Sequence, residues 1–200
     1  MHRALAVSLC LALALATGCG DDGDTAAPPP DPATEPADAA VDPPRGWRTL
    51  LNRRVGFTVA LPRQWSAKKR RDATVVRSGD GLLALTIAAD RGEPGRDLAA
   101  ARYARRTLEG LPGLGRLVPR DRGAVRGSPY ETAVFEATGV RATGEAGVAK
   151  RQRITVAALR RPGRVTYTVV AFANAEVPSP GNSRALTRVL RSLRGRAPAP

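Results

Sequence analysis

The stretch GFTVALPRQW, residues 56–65, decides the fold of this chain. Phe57, Val59 and Leu61 alternate with small or polar residues, and this period of two predicts a β-strand with one buried face. Pro62 has no backbone N–H to donate to a neighbouring strand, so it ends the strand there. The segment therefore predicts a strand that packs on a core and stops sharply.

Alternating segments on both sides of this strand predict a sheet. A short strand at residues 47–51 precedes it. Residues 73–77 and 82–89 are expected to pair as a hairpin, because Asp-Gly within 78–81 is a strong turn signal. Later strands are predicted at residues 117–119, 130–137, 153–159 and 165–173, with turns at 127–129 and 161–164. Both faces of the last strand are apolar, which predicts a central strand covered on both sides.

Two segments have the period of an α-helix. Residues 97–111 form the first, with Asp97 as the candidate N-cap and Gly113 or Gly115 closing it. Its predicted buried face consists of Leu98, Ala101, Ala104, Leu108 and Leu111. Residues 183–193 form the second, with a buried face of Leu186, Val189, Leu190 and Leu193. The order of strands, helix, strands, helix predicts an α+β fold, an α/β/α sandwich with a largely antiparallel sheet.

The same order of elements resembles the Mog1/PsbP-like group over residues 47–194. The resemblance rests on an aromatic strand running into Pro-x-x-Trp, matched by Phe57, Pro62 and Trp65, and on the Gly127-x-Pro129 turn before a strand. It implies the α/β/α sandwich fold. That group includes a Ran-binding protein, a photosystem II subunit and many bacterial lipoproteins, so it implies binding or assembly rather than catalysis. A shared fold does not transfer a partner or its contact residues.

The N-terminus, MHRALAVSLCLALALATGC, has the pattern of an export signal. Its uncharged apolar run at residues 4–16 is shorter than the ~20 residues of a membrane span, and small residues follow it. Residues 16–19, Ala-Thr-Gly-Cys, resemble a bacterial lipobox, although a larger aliphatic residue is commoner than Ala16. The resemblance implies a lipoprotein signal peptide at residues 1–18 and lipidation of Cys19. The alternative is an ordinary secretory signal followed by an unrelated cysteine.

Residues 19–45, here called the tether, are acidic and rich in Pro and Ala. They contain seven Pro and seven carboxylates but one basic residue, Arg45. Such a composition buries too little apolar surface to offset the entropy of ordering, so we predict a disordered spacer. Its length predicts a reach of roughly 80 Å when fully extended. After the tether, the sequence predicts a basic domain at residues 46–195 and a disordered tail at residues 196–200.

The charge balance reverses after the tether. Residues 47–200 hold 30 basic and 11 acidic side chains, and almost all the basic ones are Arg. This excess predicts an anionic partner: an anionic lipid, a wall polymer or an acidic protein. The alternative is a compositional bias towards Arg and Ala. Nucleic acid is not expected, because the few aromatic residues fall at predicted core positions.

The densest run of positive charge is Lys68, Lys69, Arg70 and Arg71. It follows Trp65 in a predicted loop. One interpretation is a contact for an anionic surface, to which each basic residue contributes about 1 kcal/mol. The other is an ordinary solvated loop. We name these four residues the basic run.

The residues needed for common catalytic sites are scarce. The chain has one His and two Cys, and His2 and Cys10 lie within the predicted signal peptide. The mature chain would then have Cys19 alone, which excludes Ser-His-Asp and Cys-His pairs, His-containing metal sites and intrachain disulfides. We therefore predict a protein that is not an enzyme and uses no cofactor or metal.

Weaker candidates each have a structural alternative. Glu131 and Glu136 differ by an odd number, so a regular strand points them to opposite faces. Ser128 and Ser183 would need Lys150 as a base, yet no motif joins them. The Gly-rich residues 110–115 follow a helix, which predicts a helix end rather than a nucleotide loop. The last pair, Trp47 and Trp65, either rims a cleft or covers a core edge.

These observations predict a lipid-anchored module on the extracytoplasmic face of the cell membrane. Its expected role is non-enzymatic binding or assembly with an anionic or acidic partner. One alternative is a lipid or glycolipid carrier, which needs an apolar cavity between sheet and helix. Another is a cell-envelope hydrolase, which needs a cleft with convergent ionisable groups.

Overall fold

A computed structural model describes residues 43–114, 117–143, 148–161 and 164–196. The first half contains β1 (Trp47–Asn52), β2 (Phe57–Pro62), β3 (Ser66–Lys69), β4 (Ala73–Arg77), β5 (Leu83–Asp90), α1 (Glu93–Asp97) and α2 (Ala100–Glu109). The second half contains β6 (Arg120–Gly123), β7 (Glu131–Thr143), β8 (Val148–Arg161), β9 (Val165–Asn174), α3 (Pro180–Ser192) and β10 (Arg194–Gly195). The predicted hairpins β4–β5 and β8–β9 are confirmed.

The larger sheet has seven strands in the order β3-β4-β5-β9-β8-β7-β6, and every pairing is antiparallel. β9 lies between β5 and β8, as its two apolar faces predicted. Tyr167 and Val169 are buried on one face of β9, and Thr166 and Thr168 on the other. The sheet is therefore covered on both sides at its centre.

A second sheet of three strands, β1-β2-β10, is also antiparallel. β2 is its central strand, and Phe57, Val59 and Leu61 are all buried, as predicted. Trp65 follows the end of β2 and is 3% exposed in the same core. The short sheet thus closes one side of the molecule.

Two hydrophobic cores lie on opposite faces of the seven-stranded sheet. One core joins that sheet to β1, β2 and α3 and includes Phe57, Tyr167 and Leu193. The other joins it to α2 and includes Ala104 and Phe135. The predicted α/β/α sandwich with a largely antiparallel sheet is confirmed.

The prediction for the first helix is wrong at both ends. Leu98 has an extended backbone with ψ 135°, which separates α1 from α2. Asp97 ends α1 instead of capping α2, whose N-cap is Ala99 without a side-chain hydrogen bond. The C-cap of α2 is Gly110 and not the predicted Gly113 or Gly115, because the helix already ends at Glu109. Ala100 is buried, and Ala101 is exposed.

The strand predicted at residues 117–119 is also wrong. The strand in this region is β6, whose four residues are all exposed. An edge strand of polar residues has no apolar alternation, so its sequence carries no strand signal. The same reason accounts for β3, which was not predicted.

Candidate functional site

A groove of about 480 Å³ lies between α3 and one face of the seven-stranded sheet. Its floor comes from β5, β7, β8 and β9, and one wall is the segment that connects β6 to β7. α3 forms the other wall and is held against β2, where Ser192 Oγ accepts a hydrogen bond from the Ala60 N–H at 3.0 Å. The volume is within the ~300–1,000 Å³ of small-ligand sites.

Positive charge dominates the lining of the groove. Four arginines line it: Arg122, Arg126, Arg153 and Arg191. Glu136 is the carboxylate among the lining residues and pairs with the Arg122 guanidinium at 2.7 Å. Among the residues that the structure describes, Arg126, Arg153 and Arg191 form no ion pair. The groove therefore carries an excess of three positive charges and suits an anionic ligand.

Arg153 is the least exposed of these arginines. It projects from β8, and its Nη2 donates to Ser183 Oγ on α3 at 2.9 Å. That bond connects the floor of the groove to its helical wall. Ser183 is thereby engaged by a cation that cannot accept a proton, so it lacks the base that a nucleophilic serine requires.

The first turn of α3 is fixed by a carboxylate from the β4–β5 turn. Asn182 Nδ2 donates to both carboxylate oxygens of Asp80, at 3.0 and 2.9 Å. Ser78 Oγ donates to the same carboxylate at 2.6 Å, and the Leu82 N–H at 3.0 Å. Hydrogen bonds from Ser78, Leu82 and Asn182 lower the pKa of Asp80. This network holds one end of the groove in place without a ligand.

The groove also offers apolar surface. Leu82, Val134 and Leu186 are half-buried, and Val177 is 49% exposed. Beneath them lie fully packed core residues of the lining such as Leu83 and Ala171. The lining therefore combines apolar and charged side chains, and Arg153 and Glu136 come from the same floor strands as part of the apolar surface.

The basic run lies elsewhere and is only partly a loop, which corrects the prediction. Lys68 and Lys69 belong to the edge strand β3, and Arg70 and Arg71 follow it. All four are exposed, and none of them lines the groove. Lysines on an edge strand also discourage pairing with a strand of another molecule.

A second pair of cations extends the basic run. Arg53 and Arg54, in the β1–β2 turn, share a shallow depression with Lys69 and Arg70. We call the basic run together with Arg53 and Arg54 the basic patch. It is an open, shallow surface suited to a broad anionic partner.

The structure separates the two candidate glutamates and places the two candidate tryptophans in or against the core. Glu131 contacts α2, whereas Glu136 lines the groove on the other face of the sheet, as their spacing predicted. Trp65 is buried in the core, and Trp47 is partly buried against it. The predicted lipidation site, Cys19, lies outside the described residues.

Two further catalytic candidates are also separated. Ser128 Oγ accepts the Tyr130 N–H at 3.2 Å in the turn before β7. Lys150 is exposed on β8 and does not line the groove that contains Ser183. Within the described ranges, no group of three or more His, Cys, Asp or Glu is placed to hold a metal ion. None of the helices described there is long and apolar enough to cross a membrane.

Sequence reasoning missed the groove itself. Arg122 lies in β6, Arg126 in the segment after it, Arg153 in β8 and Arg191 in α3. No local sequence motif therefore contains two of Arg126, Arg153 and Arg191. The only signal was the general excess of Arg, which the sequence could not assign to a site.

No family model matches this chain, and no curated protein does. The fold does resemble solved structures. The Saccharomyces cerevisiae Ran-binding protein Mog1p superposes with a TM-score of 0.51 at 10% identity, over 74% of this chain and 95% of Mog1p. The likeness establishes the Mog1-like fold that the sequence predicted.

Two other structures are similar at lower TM-scores. A Bacteroides thetaiotaomicron protein has a TM-score of 0.49 at 13% identity over 76% of this chain, which spans 49% of that protein. LpqN of Mycobacterium tuberculosis, involved in cell envelope biogenesis, has a TM-score of 0.44 at 13% identity over 76% of this chain and 91% of LpqN.

Proposed function

We propose that this protein is a membrane-anchored extracytoplasmic lipoprotein that acts as a non-enzymatic binding module for an anionic partner. The observation that carries the proposal is the groove, in which three arginines that form no ion pair with the described residues lie beside partly apolar walls. An arginine presents five N–H donors and no acceptor, so such a site favours carboxylate or phosphate groups.

The membrane location rests on the sequence. The lipobox-like Ala-Thr-Gly-Cys ending at Cys19 supports an acyl anchor, and the tether supports a domain held away from the bilayer. Two or more acyl chains would hold such a protein stably on a membrane. The domain would then meet partners on the membrane surface or within reach of the tether.

The two alternatives receive less support. A carrier with an apolar cavity fits the volume of the groove, but a purely apolar ligand would leave the half-buried Arg153 without an anionic partner. A hydrolase would need a second acid or base near Glu136, and the other ionisable groups of the lining are arginines.

The anionic partner is tested by cross-linking in the native host, followed by a high-salt wash and mass spectrometry. The double variant Arg126→Gln/Arg191→Gln removes two groove charges from exposed side chains. Arg102→Gln/Arg188→Gln is the matched control, because those exposed arginines lie on α2 and α3 outside the groove. We expect the groove variant to lose the principal partner and the control to keep it. Equal partners for both variants would contradict the proposal.

The anchor is tested separately with Cys19→Ala. We expect wild-type protein in the membrane fraction and an unprocessed, mislocalised variant. Identical processing and location for the two proteins would remove the lipoprotein assignment and leave the groove to be judged by the first experiment.

A further inference from the structure

We infer that the ligand of the groove is an anionic amphiphile, a molecule with one phosphate or carboxylate group and a single apolar chain. This inference rests on the proposed function and specifies its partner. It comes from the combination, in one groove, of exposed arginines and apolar side chains that the protein leaves incompletely covered.

Three of the charged groups, here called the rim cations, are exposed, whereas Arg153 and Glu136 are half-buried on the strands of the floor. The rim cations are Arg122, Arg126 and Arg191, and they reach the groove from both of its walls. Arg122 is already paired with Glu136, so Arg126 and Arg191 are the rim cations available to a ligand. An anionic group held between them would stay close to water, which avoids the large cost of burying a charge.

Apolar side chains of the same groove are not fully covered by the protein. Leu82, Val134 and Leu186 are each half-buried, and Val177 is about half exposed. A free inorganic anion would leave them in contact with water. An attached hydrocarbon chain would cover them, and the gain is roughly proportional to the apolar area removed from water.

The size of the groove limits the ligand. A volume of about 480 Å³ corresponds to roughly 16 waters at ~30 Å³ each. This matches a small head group and part of one chain. The fixed network of Asp80, Asn182 and Ser183 also limits how far α3 can move to widen the groove.

Equilibrium binding of three probes to the full chain tests the inference. The two dodecyl probes are kept below their critical micelle concentrations. Dodecyl phosphate has both features, dodecyl maltoside has only the chain, and inorganic phosphate has only the charge. We expect dodecyl phosphate to bind at least ten-fold more tightly than either of the others. A similar Kd for dodecyl phosphate and dodecyl maltoside would contradict the role of the arginines.

Variants assign the binding to the groove. Arg126→Gln/Arg191→Gln should weaken dodecyl phosphate binding by about ten-fold, whereas Arg102→Gln/Arg188→Gln should change it less than two-fold. Val177→Ser should weaken it about three-fold, and its control is Val118→Ser, which alters a residue 73% exposed outside the groove. Equal effects of the groove variants and their controls would overturn the inference. All six positions are exposed, so their replacement leaves the core intact.

A failure of the inference is distinguishable from a failure of the proposed function. If poly-glutamate or inorganic phosphate binds through Arg126 and Arg191 as tightly as dodecyl phosphate does, the amphiphile is wrong and the anionic partner stands. If no anionic probe binds, both are wrong.

Discussion

Glu131 links three elements through one carboxylate. Its Oε1 accepts the Ala100 N–H at the start of α2 at 2.8 Å, and its Oε2 accepts Arg160 Nη1 of β8 at 2.7 Å. α2 has no side-chain cap of its own, so this side chain from β7 performs that role. A negative charge at a helix N-terminus is also favoured by the helix dipole.

Replacement of Glu131 tests this cap and its dependence on pH. Glu131→Ala should lower the free energy of unfolding at pH 7 by about 1 kcal/mol, because α2 loses its cap. The Ala100 N–H and Arg160 lower the pKa of Glu131 in the folded protein. A lowered pKa gives stability that is present above the unfolded value of ~4.3 and is lost as pH falls through the folded value. The difference between wild type and variant should therefore shrink below pH 4.

Urea unfolding between pH 7 and pH 3 measures this difference. Glu109→Ala is the matched control, because that exposed residue ends α2 and is far from its N-terminus in sequence. A constant difference across the pH range, or an equal loss in the control, would count against the cap.

At the scale of elements, two glycines in neighbouring segments should respond in opposite ways to alanine. A Cβ at Gly195 in β10 would lie 2.4 Å from the Tyr167 hydroxyl and 2.8 Å from its ring. Tyr167 cannot retreat easily, because its hydroxyl donates to the Gly56 carbonyl at 2.8 Å. A Cβ at Gly181 in α3 meets no atom within 4 Å.

Gly195→Ala should therefore destabilise the protein by about 1–3 kcal/mol through overpacking. Gly181→Ala should stabilise it by up to about 1 kcal/mol, because alanine loses less backbone entropy in a helix. Thermal unfolding of both variants beside wild type measures the two effects. A stabilising shift for Gly195→Ala would show that the packing around β10 is looser than the distances indicate, and a destabilising shift for Gly181→Ala would contradict the helix argument.

The elements that the sequence predicted well carry their own local signals. Alternating residues identified β2 and β9, and Asp-Gly identified the β4–β5 turn. The start of α2 was missed because its cap, Glu131, is thirty-one residues from Ala100 along the chain. The edge strands β3 and β6 were missed because their residues are mainly polar and exposed.

The candidate site was harder to predict than the fold. Arg126, Arg153 and Arg191 come from three separate parts of the chain, and only the sheet and α3 bring them to one groove. The basic run could be read directly from the sequence because its four members are consecutive. Consecutive charged residues can thus be recognised from the sequence alone, whereas residues that meet in a groove only after folding cannot.

For the whole molecule, the groove and the basic patch present positive charge on two different kinds of surface. Lys68→Gln/Lys69→Gln/Arg70→Gln/Arg71→Gln should reduce binding to vesicles rich in phosphatidylglycerol by at least ten-fold at 0.1 M salt, since each charge contributes about 1 kcal/mol. The same variant should leave dodecyl phosphate binding unchanged, because none of these residues lines the groove. Vesicle flotation measures the first effect. Undiminished flotation of the variant would leave the basic run as a solvated surface only.

The pairing of β10 with β2 also determines when the fold can be completed. Arg194 and Gly195 pair with Thr58 and Phe57, so the last described strand closes a sheet that begins near residue 47. A chain that emerges N-terminus first makes almost the whole sequence before this partner for β2 exists. Until then β2 has an open edge, and closing so long a loop is intrinsically slow. The β10–β2 pairing therefore has to wait until nearly the whole chain is made, and a chain that stops before β10 would leave that edge of β2 unpaired.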